Sequence, residues 1–162
     1  MVPVASKVQL VQGVNEKCFG RSPLIIKVTA QYHDEQKRIM VVTSDGAKAE
    51  DLQPRDYLSA QVVVEKNGKR EQAGWNLGGR RNFSFFNQKA IDEIAGKAVN
   101  DALLLFDAVQ PPAGEMPVVF APGVTAILLH EAIGHGMEAD FNRKKTSTYC
   151  TMIGKKVAEP FV

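Results

Sequence analysis

The sequence is poor in the features that mark several classes of protein. It has only two cysteines, Cys18 and Cys150, which form no recognisable disulfide framework and suit a reducing compartment. No apolar run approaches the length of a membrane span, and the N-terminus lacks the apolar core of a signal peptide. A net charge of +2 is too small to argue for binding to nucleic acid or to an anionic membrane. We therefore expect a soluble, cytoplasmic protein that associates with neither.

Apolar and polar residues alternate through much of the first half of the chain, as they do in half-buried strands. The alternation is clearest over residues 24–32 and 58–64, and a shorter run at 7–12 predicts a further strand. We therefore predict that residues 1–80 form an antiparallel sheet, a meander with one buried face.

Three polar segments predict the turns of this meander. Residues 33–36 are all polar and predict a turn between two strands. Asp45-Gly46 is a hairpin signal, and Asn67-Gly68 predicts a two-residue turn of the kind that needs positive φ twice. His33 falls in the first of these turns, where we expect it to be exposed and without a role.

The hydrophobic period changes to a helical one over residues 87–107. Apolar residues recur there at i, i+3, i+4 and i+7, and Asn87 suits the N-cap position. Within 116–140 we predict a short strand at 116–121 and then a second helix. The predicted fold class is α+β, a curved antiparallel sheet packed on one long amphipathic helix plus a short motif helix, in a single domain over residues 1–162.

The second predicted helix carries most of the ionisable chemistry, in an H-E-x-x-x-H motif. Its members are His130, Glu131 and His135. A five-residue step in a regular helix places two side chains roughly 140° apart, so that both histidines would not face one ion. Residues 134 and 136 are glycines, which are favoured where helices end. We therefore predict a broken or widened last turn that brings the histidines together at a metal.

The residue types of this motif suit a catalytic zinc site. Neutral imidazole is a common zinc ligand, and zinc lowers the pKa of water so that a neighbouring carboxylate can take its proton. This favours His130 and His135 as metal ligands and Glu131 as a general base. The alternative is a helix end whose polar residues are simply solvated.

Two nearby residues have several possible roles. Glu138 is a candidate ligand, a candidate partner that orients an imidazole, or a loop acid that pairs with Arg143 or Lys144. Cys150 is either an ordinary thiol or an opportunistic soft ligand, if the loop folds back. The sequence leaves these alternatives open.

The run HEAIGHGMEADFNRKKTS, with AGEMPVVFAPG before it and IGKKVAEPFV after it, resembles the TldD/PmbA family of metallopeptidases. The resemblance is to the metal-binding, TldD-like branch, and it extends upstream through SDG at 44–46 and the glycine-rich stretch 70–79. It covers most of the chain, which corresponds to a central slice of the family's usual length. An older label for this family is modulator of DNA gyrase.

The resemblance implies a zinc-dependent peptidase that cuts unstructured peptides. It implies zinc held by His130, His135 and a cysteine from a C-terminal region outside this chain, with Glu131 as the general base. It also implies a homo- or hetero-oligomer with a paralogous subunit that lacks the histidine motif. This chain by itself would then be incomplete and weakly active or inactive.

The chain departs from the family pattern at two positions. Lys145 stands where the family usually has glycine, and a positive φ there would strain a lysine. Cys150 replaces a small polar residue, so it does not match the family's cysteine ligand.

Two other functions compete with peptide hydrolysis. One is a non-catalytic module for assembly or partner binding, whose apolar faces associate with other chains. The other is nucleic-acid binding, which the older family label suggests but which no basic, aromatic patch of the sequence supports.

Overall fold

A computed structural model of the chain describes residues 2–159. The chain divides into two compact units, Met1–Pro111 and Pro112–Val162, whereas the sequence analysis predicts a single domain. Among the described residues, every buried side chain belongs to the first unit. The second unit therefore has no buried core of its own within that part of the chain.

The first unit is a three-stranded antiparallel sheet with two helices. The elements are α1 (Val4–Phe19), β1 (Ile25–Val42), β2 (Lys48–Lys66), β3 (Lys69–Gly79) and α2 (Gln88–Leu104). The strand order β1-β2-β3 follows the sequence and confirms the predicted meander and the α+β class. Helix α2 is followed by a short 3₁₀ turn over Leu105–Asp107, and another 3₁₀ turn precedes it.

Two of the three predicted turns and the predicted helix cap are confirmed. Asn67 (φ 52°) and Gly68 (φ 79°) both adopt the positive φ that a two-residue hairpin turn requires. Gly46 has φ 89° in the turn between β1 and β2. The Asn87 side chain accepts hydrogen bonds from the backbone N–H groups of residues 89–90 and so caps α2.

The strand predicted at 7–12 is wrong, because these residues lie in helix α1. Val8 and Leu10 alternate with polar residues, which suggests a strand, but Val8 is exposed. The buried residues are Leu10, Val14 and Cys18, which follow one another at intervals of four and so share one helix face. Burial of this face against the core therefore decides the conformation.

Two further local predictions are wrong. Residues 33–36 are not a turn; they continue β1 and pair in register with residues 54–57 of β2. They are polar because this part of the hairpin is exposed. Residues 116–121 are not a strand, because no described segment pairs with them and a strand needs a hydrogen-bonded neighbour.

The core of the first unit is formed by one face of β2 and the inner faces of the two helices. The alternation predicted for β2 and the helical stripe predicted for α2 are both confirmed by burial. Fully or nearly fully buried are Val14 and Cys18 from α1, Leu58, Ala60, Val62 and Val64 from β2, and Ile94, Ala95, Ala98, Val99 and Ala102 from α2.

The second unit consists of short helical segments joined by turns. The segments are α3 (Thr125–Leu129), a π turn (His130–Gly134), a 3₁₀ turn (His135–Met137) and α4 (Ala139–Arg143).

Within the described residues, none of the chain's helices is long and apolar enough to cross a membrane.

Candidate metal centre

A π turn brings the two motif histidines together. The N–H of His135 donates to the carbonyl oxygen of His130, five residues earlier, instead of four as in an α-helix. The turn is wider by one residue, so side chains five apart come to nearly the same side of the helix. The two imidazole rings lie 4.5 Å apart, centre to centre, at an interplanar angle of 71°. The predicted widening of the last turn is therefore present.

The glycines that flank His135 do not act by adopting positive φ. Gly134 has φ −57°, and Gly136 is likewise outside the left-handed region. At Gly136 the constraint is space. A Cβ atom there would lie 2.8 Å from Cε2 of Tyr149, so a larger residue would displace the Tyr149 ring.

Glu131 lies beside His135. Its Oε2 is 3.5 Å from Nε2 of His135, and one ligand atom from each of His130, Glu131 and His135 lies within 4.8 Å of the other two. All three side chains are exposed; the exposed fraction is 48% for His135 and 62% for Glu131. The structure therefore places the three sequence-predicted residues in one group that is open to solvent.

The donor atoms of this group fit a zinc ion. Two nitrogens on a tetrahedral zinc lie about 3.4 Å apart, given zinc–nitrogen distances of about 2.0–2.1 Å. The ligand atoms of the group lie within 4.8 Å of one another, so the side chains would have to turn toward each other to bind one ion. Within residues 2–159, no other histidine, cysteine or acid joins the group. A complete catalytic site, which has three protein ligands, would need one more donor.

Glu138 contacts the other nitrogen of the His135 ring. Nδ1 of His135 and Oε1 of Glu138 lie 2.5 Å apart and form a hydrogen bond. This hydrogen bond is the main cause that raises the pKa of the His135 imidazole, and the charges of Glu138 and Glu131 add to it. Of the alternatives for Glu138, the structure shows contact with an imidazole; Lys144 lies near Asp140 instead.

The loop after α4 holds the backbone that follows His135. The carbonyl oxygen of Gly136 accepts from Nδ2 of Asn142 at 3.0 Å and from Oγ of Ser147 at 2.5 Å. Sequence analysis missed Ser147 and Tyr149. A local signal exists for Ser147, whose Oγ accepts the backbone N–H of Tyr149, two residues on. Its contact with Gly136, eleven residues earlier, has no sequence signal.

Lys145, which stands where the family usually has glycine, adopts the left-handed conformation. Its φ is 59°, and it directly follows the C-cap of α4. The N–H of Thr146 donates to the carbonyl of Phe141, and that of Lys145 to the carbonyl of Asn142. These two hydrogen bonds form a Schellman motif, in which glycine normally occupies the left-handed position.

We expect Lys145→Gly to stabilise this loop by about 1 kcal/mol, because glycine has no Cβ to oppose positive φ. The corresponding measurement is hydrogen exchange of the Thr146 amide, which should slow about fivefold. Lys144→Gly is the matched control. Lys144 is right-handed, so glycine there should speed the exchange. Equal effects of the two glycines would contradict this account of the loop.

An α+β unit followed by a histidine–glutamate–histidine group on a π turn defines a candidate metalloprotein, and comparison with known proteins gives its family. Residues 1–106 match the family model of the PmbA/TldA metallopeptidase central domain, and residues 113–162 match that of the C-terminal domain. The chain belongs to the PmbA/TldA metallopeptidase family. The two matches meet close to the boundary between the two compact units.

Two metalloprotease TldD homologs are similar to this chain. The chain is 38% identical over 159 residues to a metalloprotease TldD homolog of Haemophilus influenzae, covering 95% of this chain and 33% of that protein. It is 42% identical over 141 residues to a metalloprotease TldD homolog of Buchnera aphidicola from Acyrthosiphon pisum, covering 83% and 29%. The chain thus spans about a third of the length of these relatives.

Two crystal structures of proteins described as modulators of DNA gyrase share the fold. The protein from Thermotoga maritima has a TM-score of 0.81 at 19% identity, over 98% of this chain and 36% of its own. The protein from Bacteroides thetaiotaomicron has a TM-score of 0.79 at 21% identity, over 98% and 35%. At these identities the likeness concerns the fold alone.

Proposed function

We propose that this chain is the metal-holding part of a zinc-dependent peptidase, with His130 and His135 as zinc ligands and Glu131 as the general base. The observation that carries the proposal is the π turn, which brings the two imidazoles to 4.5 Å and leaves Glu131 3.5 Å from His135. A solvated helix end has no need of this rare turn, and π turns occur frequently at functional sites.

Each residue has a distinct task. Zinc held by His130 and His135 would supply Lewis acidity toward a peptide carbonyl and would lower the pKa of water. Nε2 of His135 is the nitrogen free to ligate, because Nδ1 is hydrogen-bonded to Glu138. Glu131 follows His130 directly and lies next to Nε2 of His135, so its carboxylate is placed to accept a proton from water and to return it to the departing amine.

The proposed site needs parts that this chain does not contribute. The third ligand would be a cysteine from a C-terminal region outside this chain, so the isolated chain would hold zinc weakly and cut peptides slowly or not at all. Unstructured peptides are the proposed substrates, and a paralogous subunit is the proposed partner, in the cytoplasm. The exposure of the three side chains supports the need for further parts that cover the site, since a peptidase site is normally closed to bulk water.

The test places this chain within a full-length relative. The matched 95% of this chain would replace its counterpart in the Haemophilus influenzae relative, and the chimera would be assayed for hydrolysis of a fluorogenic, unstructured peptide. We expect zinc-dependent hydrolysis. The variant Glu131→Gln should keep the zinc and lose hydrolysis by about 10²–10⁴-fold, because the amide cannot accept the proton.

The unmodified relative is the positive control, and Asp140→Asn, a variant of a nearby acid outside the base position, should retain hydrolysis. A folded chimera that takes up zinc but cuts no peptide would contradict the proposal. So would a Glu131→Gln chimera that retains hydrolysis, since the general base would then lie elsewhere.

The exposed apolar surface of the second unit favours an alternative, in which the chain is a non-catalytic module for assembly. The exposed fraction is 95% for Val119 and 93% for Ile153, and Val118 and Phe120 are also exposed. Apolar surface of this kind usually marks contact with other parts of a protein or with a partner. Self-association without zinc binding at His130 and His135, measured by light scattering and metal analysis, would favour this function.

A further inference from the structure

Glu138 occupies the N-cap of α4 but does not cap the helix. N-cap side chains commonly accept a backbone N–H from the first turn, and glutamate is not among the preferred residues. The Glu138 side chain makes no such hydrogen bond. It turns back over the preceding 3₁₀ turn, and its Oε1 lies 2.5 Å from Nδ1 of His135.

The backbone that joins Glu138 to His135 is held in place. The N–H of Glu138 donates to the carbonyl of His135 at 3.3 Å. Nδ2 of Asn142 donates to the carbonyls of both Glu138, at 2.8 Å, and Gly136, at 3.0 Å. Ser147 donates to the same Gly136 carbonyl. The carboxylate and the imidazole are therefore presented to each other by a short, hydrogen-bonded segment.

We infer that Glu138 is a positioning residue that holds His135 in the tautomer with hydrogen on Nδ1, so that Nε2 is the ligand atom. A neutral imidazole has a hydrogen on only one of its two ring nitrogens, and the nitrogen that donates this hydrogen to a carboxylate cannot also bind a metal. Metal-ligating histidines commonly donate their second nitrogen to a carboxylate, which fixes the ring orientation. Nε2 is also the atom that faces Glu131, at 3.5 Å.

This inference rests on the proposed function for the role of Nε2, but its first readout needs no metal. Nitrogen-15 NMR of the histidine rings distinguishes the two tautomers directly. In the metal-free chain, at a pH where the rings are neutral, His135 should be mainly the Nδ1–H tautomer. The variant Glu138→Ala should move it toward the Nε2–H tautomer, whereas the His130 ring in the same spectrum should not change.

Zinc affinity is the second readout, measured by competition with a chromophoric chelator. Glu138→Ala should weaken it about 10–100-fold. Glu138→Gln should keep most of the preference for the Nδ1–H tautomer and most of the zinc affinity, because the amide oxygen can still accept from Nδ1. Asp140→Asn is the matched control, since Asp140 is an exposed acid of α4 that does not contact His135, and neither readout should move.

A His135 tautomer that is unchanged in Glu138→Ala, or changed equally in Asp140→Asn, would overturn the inference. A His135 tautomer that changes in Glu138→Ala while zinc affinity stays constant would also overturn it, since the tautomer would then have no effect on metal binding. Failure of the proposed function has a different signature: zinc affinity would be insensitive to replacement of His130 and of His135 themselves.

Discussion

Replacing either His130 or His135 with alanine is expected to weaken zinc binding by about a hundredfold. A four-ligand structural zinc site contributes about 10–16 kcal/mol, which is about 3 kcal/mol for each ligand. The two imidazoles supply the only nitrogen donors of the histidine–glutamate–histidine group, so the loss of either should remove almost the whole contribution of one ligand. Competition with a chromophoric chelator at fixed pH measures the change in dissociation constant.

The third histidine of the chain provides the control. His33 is exposed in β1, in the first compact unit, and belongs to no group of metal-ligand residues. The variant His33→Ala should leave zinc affinity unchanged. A weakening in His33→Ala equal to that in His130→Ala would show that zinc binds exposed histidines without selectivity, and the site would lose its support.

The second large effect concerns the core of the first unit. Ile94 on α2 has an exposed fraction of 0%, and its side chain belongs to the cluster formed by α1, β2 and α2. Ile94→Ala leaves a cavity there, which should lower the free energy of unfolding by about 3 kcal/mol. Urea unfolding, followed by the fluorescence of Trp75, which packs against the same core, measures this loss.

A second isoleucine separates burial from the change of residue type. Ile26 in β1 has an exposed fraction of 48% and undergoes the same deletion in Ile26→Ala. We expect it to cost about 1 kcal/mol or less, because exposed side chains lose little on truncation. Equal costs for the two variants would mean that α2 does not pack as described.

The parts of the fold that the sequence predicts are those with strong local signals. Asn67-Gly68 needs positive φ twice, and only a tight turn satisfies both residues. The stripe of α2 persists for several turns, so its period is unambiguous. At 7–12, by contrast, a short alternation fits either a strand or a helix, and only the long-range burial of Leu10 and Val14 decides.

Pairing between strands explains the other misses in the fold. Residues 33–36 have the composition of a turn, yet the register set on either side of them in the β1–β2 ladder carries them through as strand. Residues 116–121 have the composition of a strand but no described partner to pair with. Neither outcome can be inferred from the segment alone, because the deciding hydrogen bonds lie in another segment.

The candidate site likewise has some features with a local sequence signal and others without one. The five-residue spacing of His130 and His135 is incompatible with a regular helix facing one ion, and this mismatch predicts the widened turn. The carboxylate of Glu138, three residues from His135, was also within reach of a local argument. The contacts of Ser147 and Tyr149 with Gly136 could not be predicted in this way, because they depend on the path of the intervening residues, which include α4.

X-ray absorption at the zinc edge of the zinc-loaded chain tests the central claim most directly, since it reports which atoms bind the metal. The account predicts two imidazole nitrogens at about 2.0–2.1 Å, with oxygen completing the shell. The imidazole signal should disappear in the double variant His130→Ala/His135→Ala. A shell of oxygen alone, or a sulfur at about 2.3 Å from Cys150 in place of the imidazoles, would contradict it.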